Sequence, residues 1–128
     1  MTGHLADTHA LLWAETDPKR LSPLARDVMM LRKGAVYFSI ASVWEIAIKV
    51  SLGKLSLDMS VSEFVASQIE VGLKLLPVRV AHVGQLSALP LHHRDPFDRM
   101  LISQSQVEEL ELLSEDPAMA LYEVRVVW

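Results

Sequence analysis

The chain has no cysteine among its 128 residues. Disulfides and thiolate metal sites are therefore excluded, and a cytoplasmic protein is expected. No apolar run approaches the ~20 residues needed to span a bilayer, so no membrane partner is expected. The opening MTGHLADTHALLW lacks a positive segment and carries an acid among its apolar residues. It does not read as a signal peptide. Basic residues are in deficit, 12 Lys and Arg against 16 Asp and Glu, a net charge of −4. A protein that holds nucleic acid by broad electrostatic attraction has the opposite balance. A nuclease is still allowed, because part of the negative charge can belong to a metal site. The five histidines show no zinc-like spacing. Linkers, repeats and low-complexity segments are missing too. One domain over residues 1–128 is the natural count, and a 51% hydrophobic composition is ample for one core.

What is present is an alternation of strand and helix signals. GHLAD (3–7) reads as a short strand ending in an acid, and THALLWAE follows at helical spacing until Asp17-Pro18 breaks it. Ser22-Pro23 opens a second helix, with Ser22 as N-cap, that runs to about Lys33, where Gly34 stops it. AVYFSI (35–40) is a buried strand. In SVWEIAIKVSLGKL, Ser42 and Glu45 are expected to form a capping box, and Ser60 and Glu63 repeat it in SVSEF. KLLPV is a third strand, followed by a short helix around 80–88 that Pro90 ends. HHRDPFDR is a polar loop in which Asp95 caps a helix entered by Pro96 and running to about Glu108. ELLS (111–114) and the closing VRVVW are the last two strands, with one helical turn opened by Asp116-Pro117 between them. Strands alternating with helices imply an α/β fold with a parallel sheet and right-handed crossovers.

Four acids stand near strand-to-helix handovers: Asp7, Glu45, Asp98 and Asp116. In a parallel sheet every strand ends on one edge, where such sheets bind ligands. Two carboxylates about 5 Å apart repel by roughly 3 kcal/mol at an effective dielectric of 20. A cation, or protonation of some members, relieves that cost. Taken singly, each acid is explained by helix capping or by the helix dipole. Taken together they are not, because Ser serves as well and the chain uses Ser at 22, 42 and 60. Asp95 is foremost a cap. Asp17, Asp27 and Asp58 read as loop or surface acids, and Glu108, Glu109 and Glu111 as a solvated helix end. Trp13 and Trp44 fall on apolar helical stripes and are expected in the core. Lys49, four residues after Glu45, can pair with it.

With those acids placed, the chain resembles a PIN-domain ribonuclease, and more narrowly the VapC-type toxins of toxin–antitoxin pairs. The resemblance rests on LADTHALLW, SIASVWEIAIKVSLGKL, LPLHHRDPFDRMLISQSQ, and LLSEDPAM with VRVVW. These run from one end of the chain to the other in the family's order. Two departures are mild: LAD in place of two bulky apolar residues before the first acid, and Ser114 where Thr is more usual. The resemblance implies a central five-stranded parallel sheet flanked by helices, and hydrolysis of RNA at a Mg²⁺ or Mn²⁺ site. Carried over by motif, the metal-site and catalytic acids are Asp7, Glu45, Asp98 and Asp116. Asp7 and Asp98 are expected as direct ligands, with Glu45 and Asp116 binding through water, completing a second site or orienting the attacking water. Thr8, Asp95, Arg99 and Ser114 are accessory candidates, Arg99 either pairing with Asp98 or steadying the phosphate. Lys49, Lys54, His92, His93 and Arg94 are weaker candidates for RNA contact. The resemblance further implies a cognate antitoxin partner and a homodimer.

Other readings fit less well. A dehalogenase-like phosphatase needs an Asp two residues after Asp7, where the chain has His9. A receiver domain needs a phosphoacceptor Asp after the KLLPV strand, which ends without one. A non-catalytic PIN-like binding or regulatory module remains the alternative, and the full set of acids argues against it.

Overall fold

The structure is a computed structural model that describes residues 2–31 and 35–128. Five strands form one sheet: β1 (His4–Ala6), β2 (Val36–Ser39), β3 (Lys74–Leu76), β4 (Glu111–Leu113) and β5 (Val126–Val127). Their order is β3-β2-β1-β4-β5, and every pairing is parallel. The helices are α1 (Thr8–Thr16), α2 (Pro23–Leu31), α3 (Ile40–Ser51), α4 (Val61–Glu70), α5 (Val80–Ser87) and α6 (Pro96–Glu108). Short 3-10 turns occupy Pro18–Arg20 and Pro117–Leu121. The expected end of α2 at Lys33 and Gly34 lies outside the described residues. No helix among the described residues is long and apolar enough to cross a membrane.

Successive strand residues point to opposite sides, and the inner strands β1, β2 and β4 bury residues on both faces. Ala6, Val36, Phe38 and Leu113 join the α1–α4 side, with Leu11, Val28, Ile46 and Phe64. Leu5, Leu76 and Leu112 join the α6 side, with Leu101, Ile102, Met119 and Tyr122. The strand order decides where a site can form. The chain proceeds outward from β1 to β2 and β3, then returns to the other side of β1 for β4 and β5. The crevice at the C-terminal ends of β1 and β4 is thus the topological switch point, where open parallel sheets bind ligands.

Local signals place most helix starts correctly. Ser60 and Glu63 form a reciprocal capping box, with both hydrogen bonds at 3.1 Å. The backbone N–H of Ser60 holds the Glu63 carboxyl below its ordinary range, and the Ser60 side chain adds to this. We expect Ser60→Ala to destabilise the fold by about 1 kcal/mol; a urea melt checks this, and an unchanged midpoint would mean that α4 needs no cap. Ser22 accepts from the Ala25 N–H at 3.0 Å, as expected of a cap. Asp95 accepts from the N–H groups of Phe97 and Asp98 at the start of α6.

One start differs. α3 begins at Ile40 directly off β2, capped by Ser39, whose Oγ accepts from the Ala41 N–H at 3.0 Å. Ser42 and Glu45 are therefore inside the helix and form no capping box there. The sequence offers two serines three residues apart, and the register of β2 leaves the chain free to turn at the first. The helix shifts with its start, and its buried positions become Ala41, Ser42, Val43, Glu45 and Ile46. Trp44 is turned outward, 64% exposed, and packs edge-on against Phe97 with ring centroids 5.3 Å apart. It is not the core residue its apolar character suggests, because polar Ser42 and Glu45 occupy the inward stripe. Trp13 does pack against the core, half-buried, with Arg20 over its ring.

Of the three acids expected as a solvated helix end, Glu109 is exposed, while Glu108 and Glu111 are tied down. Glu108 meets His82 Nε2 at 2.8 Å and Arg79 at 3.4 Å. Glu111 opens β4 and meets His4 at 3.0 Å and Arg125 at 3.1 Å.

Candidate active site

Asp7 follows the last residue of β1, and its backbone N–H donates to the Leu113 carbonyl, extending the β1–β4 ladder by one step. Its side chain is buried and caps α1: Oδ1 accepts from the Ala10 N–H at 2.8 Å. Oδ2 accepts from the Ser114 hydroxyl at 2.6 Å, across 107 residues of sequence. Ser114 Oγ in turn accepts from the Asp116 N–H at 3.1 Å. One hydroxyl thus orients the acid after β1 and the turn that carries the acid after β4. Asp116 caps that turn, with Oδ1 accepting from the Ala118 N–H at 2.9 Å.

Glu45 comes from the second turn of α3 rather than from a strand end. It is 8% exposed and reaches inward to Thr8, whose Oγ1 lies 2.7 Å from Oε1 and 2.9 Å from the Ser42 hydroxyl. A hydroxyl has one proton to give, and an ionised carboxylate only accepts. Thr8 therefore donates to Glu45, and Ser42 to Thr8. The second carboxylate oxygen of Glu45 pairs with Lys49 at 3.1 Å, the i,i+4 pair that the spacing allows. Asp98 sits in the first turn of α6, and Oδ2 lies 3.6 Å from His93 Nε2.

The charges of these side chains act on one another. Burial, then the charges of Asp95, Glu45, Asp7 and Asp116, push the Asp98 carboxyl up to about 7. Asp7 is raised chiefly by burial, with Asp116 adding to it against hydrogen bonds from Ser114 and Ala10 that oppose the shift. The fold has thus gathered acids from β1, α3, α6 and the β4 exit. Among the described residues, the lysine or arginine that pairs with one of them is Lys49, on Glu45.

The arrangement can hold a hard cation. All the donors are oxygens, and the charge is unbalanced. Among the described residues no three His, Asp or Glu side chains stand in a geometry that closes around one ion. Beside the acids lies an apolar cavity of about 460 Å³, lined by Ile40, Trp44, Val78, Leu86, Phe97 and Met100 among others. Trp44 and Phe97 are the chain neighbours of Glu45 and Asp98, so the apolar wall and the acids are built on the same helix turns.

Of the accessory candidates, Thr8 and Ser114 hydrogen-bond the acids, and Asp95 is the α6 cap whose charge acts on Asp98. Arg99 does not pair with Asp98. Its guanidinium donates to the Pro90 carbonyl at 2.8 Å and to the Tyr122 hydroxyl at 3.1 Å, anchoring the loop ahead of α6. Among the weaker RNA candidates, His93 faces Asp98, while His92 packs edge-on against Tyr122. Lys54 and Arg94 are exposed. Sequence reasoning missed Ser42 and Tyr122. Ser42 carried a capping signal that masked it, and nothing local marks Tyr122 as part of the site.

Comparisons with known proteins agree with the fold. The PIN-domain family profile matches residues 5–125. No curated protein matches the sequence significantly. Solved structures are similar at low identity. The DNA-bound VapBC of Salmonella typhimurium superposes with a TM-score of 0.71 at 12% identity, covering 99% of this chain and 98% of that one. VapBC2 of Rickettsia felis, bound to a DNA fragment from their promoter, gives 0.69 at 10% identity, with 97% and 96% covered. A toxin–antitoxin complex from Klebsiella pneumoniae gives 0.61 at 13% identity, with 98% and 97% covered. At such identities the likeness speaks for the fold, and the profile match over nearly the whole length speaks for kinship. The chain belongs to the PIN-domain family of nucleases.

Proposed function

We propose that this chain, acting as one domain, is a metal-dependent endoribonuclease and the toxin of a VapBC-like toxin–antitoxin pair. The observation that carries the reading is the uncompensated group of acids around Asp98, gathered at the switch point of the sheet. A protein gains nothing from carboxylates that repel one another unless a cation or its substrate uses them. Asp7 and Asp98 would hold Mg²⁺ or Mn²⁺, with Glu45 and Asp116 beside them. The bound ion would supply Lewis acidity toward a phosphodiester oxygen and a more acidic water. The chain does the rest by orientation. Ser114 and the Ala10 N–H fix the plane of the Asp7 carboxylate. Thr8 and Lys49 fix Glu45, the group best placed to hold and align an attacking water. A cation held there would offset part of the net charge of −4 where RNA approaches the acids.

The toxin role draws on the similar structures, in which chains of this fold are found in VapBC and toxin–antitoxin complexes. A cognate antitoxin with a basic side chain in the acidic mouth would compete for the same oxygens, since Arg bridges carboxylates well. A homodimer and a cytoplasmic site of action go with this reading. The test is direct. Purified protein with Mn²⁺ should cleave folded RNA internally, EDTA should stop it, and calorimetry should register Mn²⁺ binding. If Mn²⁺ neither binds nor promotes cleavage of any RNA offered, the chain is a non-catalytic PIN-like binding module instead.

A further inference from the structure

We infer that His93 is a positioning residue for Asp98, held by Tyr122 in the one tautomer that aims an N–H at the Asp98 carboxylate. The inference deepens the nuclease reading and rests on it for its consequence in cleavage, though not for the contact itself.

The polar loop between α5 and α6 is pinned at a buried tyrosine. The hydroxyl of Tyr122 lies 3.1 Å from Arg99 Nη1, 3.2 Å from the His93 backbone N and 2.9 Å from His93 Nδ1. The first two partners can only donate. They occupy the oxygen's lone pairs, so its single proton is left for Nδ1. Nδ1 is then an acceptor, and the neutral ring carries its proton on Nε2. The network assigns the tautomer without reference to the acids.

That Nε2 is buried and has no hydrogen-bond partner, and it faces Asp98 Oδ2 at 3.6 Å. The distance is a few tenths of an ångström beyond a hydrogen bond. A buried donor left unused is costly. Here it is aimed at an acceptor that a small side-chain rotation would bring into range. When the contact closes, Oδ2 of Asp98 is held by the histidine. Arg99, a neighbour of Asp98 on α6, shares the same tyrosine and fixes the loop through the Pro90 carbonyl. Tyr122 thus couples the loop, the histidine tautomer and the orientation of Asp98.

The test uses the full chain and two kinds of readout. Long-range ¹H–¹⁵N correlation spectra at pH 7.5 should show the Nε2–H form of His93 in the wild type and a loss of that preference in Tyr122→Phe. A wild-type ring protonated on Nδ1 would overturn the inference. Asp98→Ala should move the His93 Nε2 resonance, and an unmoved resonance would show that the two groups do not meet. His93→Ala should lower both Mn²⁺ affinity and cleavage by about 10–100-fold, as loss of an orienting partner does. His93→Gln, whose amide can reach the Nε2 position, should recover most of that loss, and His93→Asn, which cannot, should not. If Gln and Ala are equally impaired, the ring acts by bulk alone. If His93→Ala raises KM while Mn²⁺ affinity and kcat stay put, the ring touches RNA rather than Asp98. Should the wild type neither cleave RNA nor bind Mn²⁺, the nuclease reading has failed, and the spectra still decide whether His93 is paired with Asp98.

Discussion

Asp7→Asn is expected to lower RNA cleavage by a factor on the order of 10³ or more and to leave the fold intact. The amide keeps the cap, because Oδ1 still accepts from the Ala10 N–H. Its NH₂ replaces Oδ2, and Ser114 must turn its hydroxyl away from it. That turn leaves a buried hydroxyl proton without an acceptor, at a cost of about 1 kcal/mol. Removing a carboxylate that burial disfavours and Asp116 repels works the other way. Stability should therefore stay near that of the wild type. Catalysis has no such compensation. A neutral ligand gives up several kcal/mol of charge stabilisation at the metal, and each ~1.4 kcal/mol is tenfold in rate. Cleavage assays with Mn²⁺, run beside thermal melts, separate the two effects. Undiminished cleavage by a well-folded Asp7→Asn protein would return Asp7 to the role of a helix cap.

Asp98→Asn is expected to raise the melting temperature of metal-free protein at pH 7.5 by about 6 °C, with the gain shrinking as the pH falls toward 4. An unfolded Asp titrates near 3.8, and Asp98 in the folded chain titrates at about 7. Between those values the folded state binds more protons than the unfolded state, so stability falls as the pH rises through the window. Above it the loss is complete. The group is partly exposed, and solvent screening reduces the loss to on the order of 2 kcal/mol. Asn does not titrate and avoids it. Saturating Mn²⁺ should reverse the order, since a ligand at 100 times its Kd adds about 2.7 kcal/mol to the protein that binds it. A metal-free Asp98→Asn protein that melts below the wild type at pH 7.5 would mean that the acids around residue 98 do not strain the fold.

What the sequence determined by itself is local. Hydrophobic period and turn chemistry act over one to four residues. They suffice for the alternation of strands and helices, for the Ser60–Glu63 box, and for Asp95 at the start of α6. The resemblance added the identity of the acids, because the four motifs stand in one order along the chain. Tertiary structure decided everything that depends on strands meeting. The order β3-β2-β1-β4-β5 is invisible to periodicity, and it alone brings Ser114 to Asp7 across 107 residues and Thr8 to Glu45 across 37. It also overturned the one local signal that competed with a distant partner. Ser42 and Glu45 match a capping box as a pattern, but β2 ends at Ser39, and the same two side chains turn inward to Thr8. Trp44 is exposed for the same reason, since a helix has one inward face and the site had taken it. The His93–Tyr122 pair completes the case: 29 residues separate the partners, and only the packing of the α6 layer puts the phenol where it selects a tautomer.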